Sequence, residues 1–243
     1  MKIKLIIEYE GTNYQGWQSQ INGETIQEKI EETLGKILKT KVSVMGASRT
    51  DSGVHARGQV AHFECSPHAR HINFVLALNS LLPKDIRIHD AVHVADDFHA
   101  QFHAKSKSYA YYMLNRALPS AISRNFCYWV PEKLDISLMQ LACALLKGTH
   151  NFKSFQGSKS SVKSTVREVY DCGWYEEGEF MVFRIEGQGF LKHMIRNIVG
   201  TLLEVGRGRF NLVEFQDIVD AKDRTRAGPT APPQGLFLER IVY

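Results

Sequence analysis

No stretch of this 243-residue chain approaches the roughly 20 consecutive apolar residues that cross a bilayer, and Met1-Lys2-Ile3-Lys4 runs straight into a strand pattern without a signal-peptide core. A cytoplasmic protein with no membrane partner is expected. Cysteine is sparse: Cys65, Cys127, Cys143 and Cys172 are scattered with no Cys-x-x-Cys pair, which argues against a disulfide framework and a cysteine zinc site. They are expected as buried, reduced thiols. Low-complexity segments are missing, and so is a large charge excess. Thirty Lys and Arg against 26 Asp and Glu leave +4, which permits a polyanionic partner without demanding one. What is present, 44% hydrophobic and 23% charged residues, can bury one large core or two modest ones.

The order of elements is α+β. Lys2 to Tyr9 alternates Ile3, Leu5, Ile7 and Tyr9 against Lys4 and Glu8, and a Gly11 to Gly16 loop follows. Thr25 and Glu28 have capping-box spacing before the apolar stripe Ile26, Ile30, Leu34, Ile37 and Leu38. Lys41 to Ala47 and Val60 to Cys65 read as strands, His71 to Leu82 as a helix closed by Pro83, and Ile86 to Val94 as another strand. This β-α-β-β-α-β order predicts a split-βαβ, ferredoxin-like or RRM-like sandwich.

The second half has a similar order without residue-level repetition. Ser108 to Leu114 and Phe126 to Val130 are strand-like, Asp135 caps a helix ending at Gly148, and Val166 to Tyr175 with Phe180 to Glu186 form a hairpin pattern. A helix is expected from about Gly189, with Met194, Ile195, Ile198, Val199, Leu202 and Leu203 on one face and Lys192 and Arg196 a turn apart on another. Asn211 and Glu214 open a shorter helix, and Leu236 to Tyr243 make a closing strand. The expectation is two domains, 1–104 and 105–243, sharing a mixed, mainly antiparallel sheet, with an active-site cleft between them.

Asp51 stands out within Arg49-Thr50-Asp51-Ser52-Gly53-Val54-His55, a polar turn carried by two strand-like segments. An isolated Asp-Ser-Gly is ordinarily a turn whose side chains bond their own backbone and whose glycine supplies positive φ, so its company must decide its meaning. Three segments supply that company. Lys105 to Tyr112 interleaves cations with rings, and Lys107, Tyr109 and Tyr111 share one strand face, which suits an unstacked base beside a phosphate. Tyrosines at period two are also ordinary core or cross-strand pairs. Ser154 to Ser164 is a polar loop with Lys159 and Lys163 and no acid, which fits either a phosphate-binding loop or a solvated surface loop. Lys192-His193-Met194-Ile195-Arg196-Asn197 places charges beside an apolar helix face.

Taken together, Tyr9-x-Gly11-x-x-Tyr14-x-Gly16-Trp17-Gln18, Arg49-Thr50-Asp51-x-Gly53-Val54-His55-Ala56, Phe190-Leu191-x-His193-Met194-x-Arg196-Asn197-Ile198-Val199-Gly200 and Pro232-Pro233-x-Gly235-Leu236 resemble the tRNA pseudouridine synthase A family, in colinear order over residues 3 to 243. The resemblance implies isomerisation of uridine to pseudouridine in the anticodon stem-loop of tRNA, at the nucleotides conventionally numbered 38, 39 and 40, without metal, redox cofactor or nucleotide. It implies Asp51 as the catalytic carboxylate, attacking C1′ or initiating loss of the C2′ proton. Arg196 is then the cation that keeps Asp51 ionised, Tyr109 the ring that stacks on the base and joins in the final C5 proton removal, with Tyr111 beside it. Arg49 holds the space left by the flipped nucleotide, and Lys159, Lys163, Arg167, Lys192 and His193 contact RNA. Family members act as homodimers on one tRNA, so a homodimer is expected.

The chain departs from the pattern at Ala47-Ser48, Ser52, Ala110 and Gln101, none of which removes a reacting group. Two other readings compete. A non-catalytic RNA-binding protein would stack bases on strand tyrosines, but no RNP1-like run is present and Asp51 would have no task. A hydrolase pairing Asp51 with His55 lacks the second carboxylate that glycoside hydrolysis uses, and His55 is better explained as a hydrogen-bonding member of the turn.

Overall fold

The computed structural model describes residues 1–21, 23–158 and 162–243. Its elements run β1 (Lys2–Tyr9), α1 (Ile26–Leu38), β2 (Val44–Gly46), β3 (His55–Glu64), α2 (Phe74–Leu81) and β4 (Ile86–Val94). There follow β5 (Ser106–Leu114), β6 (Tyr128–Trp129), α3 (Ile136–Ala144), β7 (Gly148–Asn151), β8 (Val166–Glu177) and β9 (Phe180–Gly187). The chain closes with α4 (Met194–Gly206), α5 (Leu212–Ala221) and β10 (Leu236–Val242). It divides into two compact units, Met1–Lys105 with Phe237–Tyr243, and Ser106–Leu236.

In the first unit the strands lie in the order β4-β1-β3, all antiparallel, with β2 antiparallel on β3. This is the split-βαβ arrangement the sequence predicts. The alternation of β1 is read out directly: Ile3 and Leu5 pair with Phe63 and Ala61 across β3, and Leu5, Ile7, Ile26, Ile30, Leu34 and Leu78 are fully buried. Each such side chain contributes roughly 1.5–3 kcal/mol by leaving water. The second unit is built on β5-β9-β8-β7, all antiparallel, with β6 parallel to β5. Helix α3 packs against β8 and α4, and Phe152, Phe155, Phe183, Ile198, Leu202 and Phe215 fill the core.

Side-chain caps set four helix starts. Thr25, Asn73 and Asp135 accept from the backbone N–H three residues on, and Asn211 with Glu214 closes a reciprocal capping box. Asn73 explains why the second helix begins at Phe74 rather than His71, since Pro67–His71 is a separate 3₁₀ turn. The fourth helix lacks such a cap and starts at Met194 instead of near Gly189, because His193 adopts a left-handed backbone at φ 59° and breaks the helical path. Lys192 is therefore outside the helix that carries Arg196, and the two do not lie a turn apart on it. The expected strand over Lys41 to Ala47 shortens to Val44–Gly46, and β3 starts earlier than expected, at His55. The closing strand, grouped with the second half in the sequence reading, belongs to the first unit from Phe237 on. There it runs parallel to β3, with Phe237 opposite His55 and Leu238 opposite Ala56.

Candidate active site

Asp51 occupies a turn whose backbone is held from two directions. The Val54 N–H donates to the Asp51 carbonyl (3.1 Å), and Gly53 supplies φ 75°. The loop after β1 then wraps this turn. The Trp17 N–H donates to the Thr50 carbonyl (3.1 Å), and the Gly53 N–H (3.4 Å) and Ser52 Oγ–H (3.1 Å) both donate to the Tyr14 carbonyl. Two glycines permit this approach. A Cβ on Gly11 would lie 2.0 Å from the Val54 carbonyl oxygen, and one on Gly16, whose φ is 85°, would lie 2.5 Å from the Thr50 oxygen. The first two sequence motifs are thus one structure, a glycine cradle around the carboxylate's turn.

Side chains complete the clamp. The Tyr9 hydroxyl is 2.7 Å from Thr50 Oγ1, and the Tyr14 hydroxyl donates to Asp85 (2.7 Å). Burial, and then that hydrogen bond, push the Tyr14 phenol well above its ordinary value, so it stays a donor. Gln59 is buried, donates to the Ser48 carbonyl and accepts from the Ser48 N–H, fixing the approach to the turn. His55 is buried, accepts the Gly11 N–H on Nδ1 (3.0 Å) and stacks on Phe237 at 4.6 Å. Its acceptor is committed to the cradle, which is a structural role and leaves the hydrolase reading without its histidine. Asp51 is half-buried and Arg49 exposed. A carboxylate on so constrained a backbone can present its oxygens to a bound reactant without first being ordered.

The second unit carries the remaining candidates. Tyr109 lies on β5 opposite Ile185, with its ring edge-on to Phe190 at 5.3 Å and 84°. Tyr111 shares its face but is fully buried, and its hydroxyl donates to the Pro232 carbonyl (2.8 Å). Burial raises its phenol pKa strongly while the Arg196 charge pulls the other way. Both rings are buried, Tyr109 with 6% of its surface exposed and Tyr111 with none. Arg196 sits in the first turn of α4, where its Nε donates to the Ala231 carbonyl (2.8 Å) and its own carbonyl accepts the Ala231 N–H (3.0 Å). Asn197, fully buried, donates to the Phe155 carbonyl and accepts from Arg224 and Thr230. The start of α4 is thereby locked to the 224–231 segment.

Lys192 and His193 meet the polar loop, since the Gly157 N–H donates to the Lys192 carbonyl (2.8 Å) and Lys192 Nζ donates to the Ser158 carbonyl (3.4 Å). Lys163 is exposed beyond that loop, and Lys159 lies outside the described residues. Arg167, on β8, donates through Nη1 to the Ser164 (3.0 Å) and Val166 (2.6 Å) carbonyls. Among the described residues no group of three or more His, Cys, Asp or Glu could hold a metal ion, and no helix is long and apolar enough to cross a membrane.

A family model described as tRNA pseudouridine synthase matches residues 5–103 and 142–243, which include Asp51 and Arg196, while Tyr109 falls between the two matched segments. A tRNA pseudouridine synthase A 2 of Clostridium perfringens is 46% identical over 241 residues, covering 99% of both chains. A tRNA pseudouridine synthase A of Acetivibrio thermocellus shows the same identity and coverage, and one of Exiguobacterium sibiricum is 45% identical over 242 residues, covering 100% of this chain and 96% of its own. Among solved structures, a chain of a Cbf5-Nop10-Gar1 complex aligns with TM-score 0.34 and 17% identity, covering 82% of this chain and 54% of the other.

Proposed function

The chain belongs to the tRNA pseudouridine synthase family and is an isomerase of uridine in tRNA, and from that premise we propose that it acts in the anticodon arm, at the nucleotides conventionally numbered 38, 39 and 40, with Asp51 as the catalytic carboxylate. The reaction breaks the N1–C1′ bond, turns the uracil and joins C5 to C1′. The C5 proton leaves and N1 gains one, so atoms and electrons balance without an external reagent. A carboxylate suits either opening step, attack at an electron-poor C1′ or removal of the C2′ proton. The observation that carries this reading is the glycine cradle: it spends two close backbone approaches on holding one half-buried Asp.

Tyr109, oriented by Phe190, stacks on the target base and takes part in removal of the C5 proton. Arg196, its guanidinium held through Nε, contacts the bound nucleotide as a second catalytic group. A stem base must leave its stack before any side chain reaches C1′, at a cost of a few kcal/mol that backbone contacts offset. Arg49 fills the space vacated, and Lys163, Arg167, Lys192 and His193 supply contacts along the RNA. The working form is a homodimer in the cytoplasm, as in the family.

Incubation with unmodified tRNA, followed by carbodiimide labelling and primer extension, tests the reading. Pseudouridine is expected in the anticodon arm alone and is abolished by Asp51→Asn with tRNA binding largely kept. Modification that survives the substitution removes Asp51 from the mechanism, and equal labelling of free uridine removes the requirement for RNA.

A further inference from the structure

Helix α4 begins without a side-chain cap, so its first turn, which carries Arg196, is held by tertiary contacts instead. Those contacts come from residues 227–231, which form neither helix nor strand. Ala231 makes both halves of the bridge: its N–H donates to the Arg196 carbonyl (3.0 Å), and its carbonyl accepts the Arg196 Nε–H (2.8 Å). Backbone and guanidinium of Arg196 are therefore placed by where Ala231 sits.

One side chain folds this irregular segment against the helix. Arg224 donates through Nη1 to the Ala227 (3.3 Å) and Gly228 (3.0 Å) carbonyls, and through Nη2 to Asn197 Oδ1 (3.1 Å) and Thr230 Oγ1 (3.1 Å). The Thr230 Oγ1–H in turn donates to the same Asn197 oxygen (2.7 Å). The fork thus ties Ala227, Gly228 and Thr230 to the residue next to Arg196. Asn197 is fully buried and anchored from its other side, where Nδ2 donates to the Phe155 carbonyl (2.7 Å). One turn along α4, the Gly228 N–H donates to Thr201 Oγ1 (3.0 Å), and a Cβ on Gly200 would lie 1.7 Å from the Pro229 carbonyl oxygen. The segment is pressed onto the helix at a distance that only glycine permits.

The acceptors that Arg224 uses are two carbonyls, an amide and a hydroxyl, all of them neutral. Burial lowers the pKa of its guanidinium, and no carboxylate in that set offsets the cost, so fork geometry and not ion pairing keeps the side chain there. We propose that Arg224 is a positioning residue for the reaction, setting through residues 227–231 where Arg196 meets the bound nucleotide. This rests on the reading of Arg196 as a group that contacts that nucleotide. Arg224 acts through Arg196 and needs no contact with the RNA.

The test follows single-turnover pseudouridine formation at saturating enzyme on an unmodified tRNA transcript, with equilibrium tRNA binding and a thermal melt beside it. Arg224→Lys, Thr230→Val and Arg196→Gln are compared singly and with each of the first two combined with the third. Lysine keeps the charge but cannot fork to four acceptors, so Arg224→Lys is expected to slow the reaction about tenfold with tRNA binding within about twofold. Thr230→Val removes one hydroxyl at nearly constant shape and is expected to cost about threefold in rate; it carries the test alone if Arg224→Lys melts below the assay temperature. In the Arg196→Gln background each substitution is expected to cost less than about twofold more, because a group that acts through Arg196 has no further effect once that guanidinium is gone. A role in stability alone would lower Tm and leave the rate of the folded protein unchanged, and that result overturns the proposal. So does a rate loss that multiplies in full with that of Arg196→Gln. A slow Arg196→Gln with an unimpaired Thr230→Val and Arg224→Lys sinks the positioning role alone, whereas Arg196→Gln at the unsubstituted rate sinks the reading of Arg196 and the proposal with it.

Discussion

Gly11→Ala probes the cradle with the smallest possible perturbation. Gly11 does not occupy the left-handed region, so its backbone accepts alanine and the whole effect is steric. The added Cβ would stand 2.0 Å from the Val54 carbonyl oxygen, and an ordinary carbon–oxygen contact needs roughly 3.3 Å, so the loop and the turn must separate by about 1.3 Å. Val54 is bonded to the Asp51 carbonyl, so the carboxylate moves with it. A displacement of about 1 Å at a reacting group costs on the order of 100-fold in rate, or about 2.7 kcal/mol of barrier. The same clash costs roughly 1–3 kcal/mol of stability. Single-turnover pseudouridine formation, tRNA binding and a thermal melt separate these effects. The expected result is a large fall in rate, a modest fall in Tm and nearly unchanged binding. Wild-type rate together with wild-type Tm would refute the claim that this contact positions Asp51.

Two further outcomes are expected. His62 is 5% exposed and accepts the Ala100 N–H on Nδ1 (3.2 Å), and burial first, then the charges of His99 and Lys2, push its pKa down to about 4, with Glu64 opposing. The fold excludes a proton that the unfolded chain takes up near 6.5, so stability is complete above pH 6.5 and is lost as pH falls toward 4, by up to roughly 3 kcal/mol. Chemical denaturation across that range checks it, and His62→Asn, which keeps an acceptor without titrating, should reduce the slope. Tyr111→Phe should lower stability by about 1 kcal/mol through loss of the bond to Pro232 and leave catalysis intact, whereas Tyr109→Phe should alter the rate with little change in Tm. Reversal of that pattern would exchange the two assignments.

Much of the fold was legible because it is decided locally. Strands β1 and β4 end where their alternation ends, and Asp135 and the Asn211–Glu214 pair begin helices through bonds spanning three residues. The tyrosine strand illustrates the limit. Period two places Tyr109 and Tyr111 on one face, but only packing separates the ring beside Phe190 from the one buried against Pro232 and Gly235. The start of α4 fails for a related reason. The apolar pattern continues through the break, while the left-handed His193 is held by contacts with a loop some 35 residues upstream.

From the sequence alone came the α+β class, the caps at Thr25, Asp135 and Asn211, the Asp51 turn and the family, since these rest on short-range propensities and on motifs that keep their spacing. Tertiary structure alone decided that Gly11 and Gly16 close around Asp51 and that the strand from Phe237 joins the first unit beside His55. Each of these joins backbone from residues tens to nearly two hundred positions apart. Periodicity reports which way a side chain faces on its own element, whereas the partner it meets is set by how the elements pack.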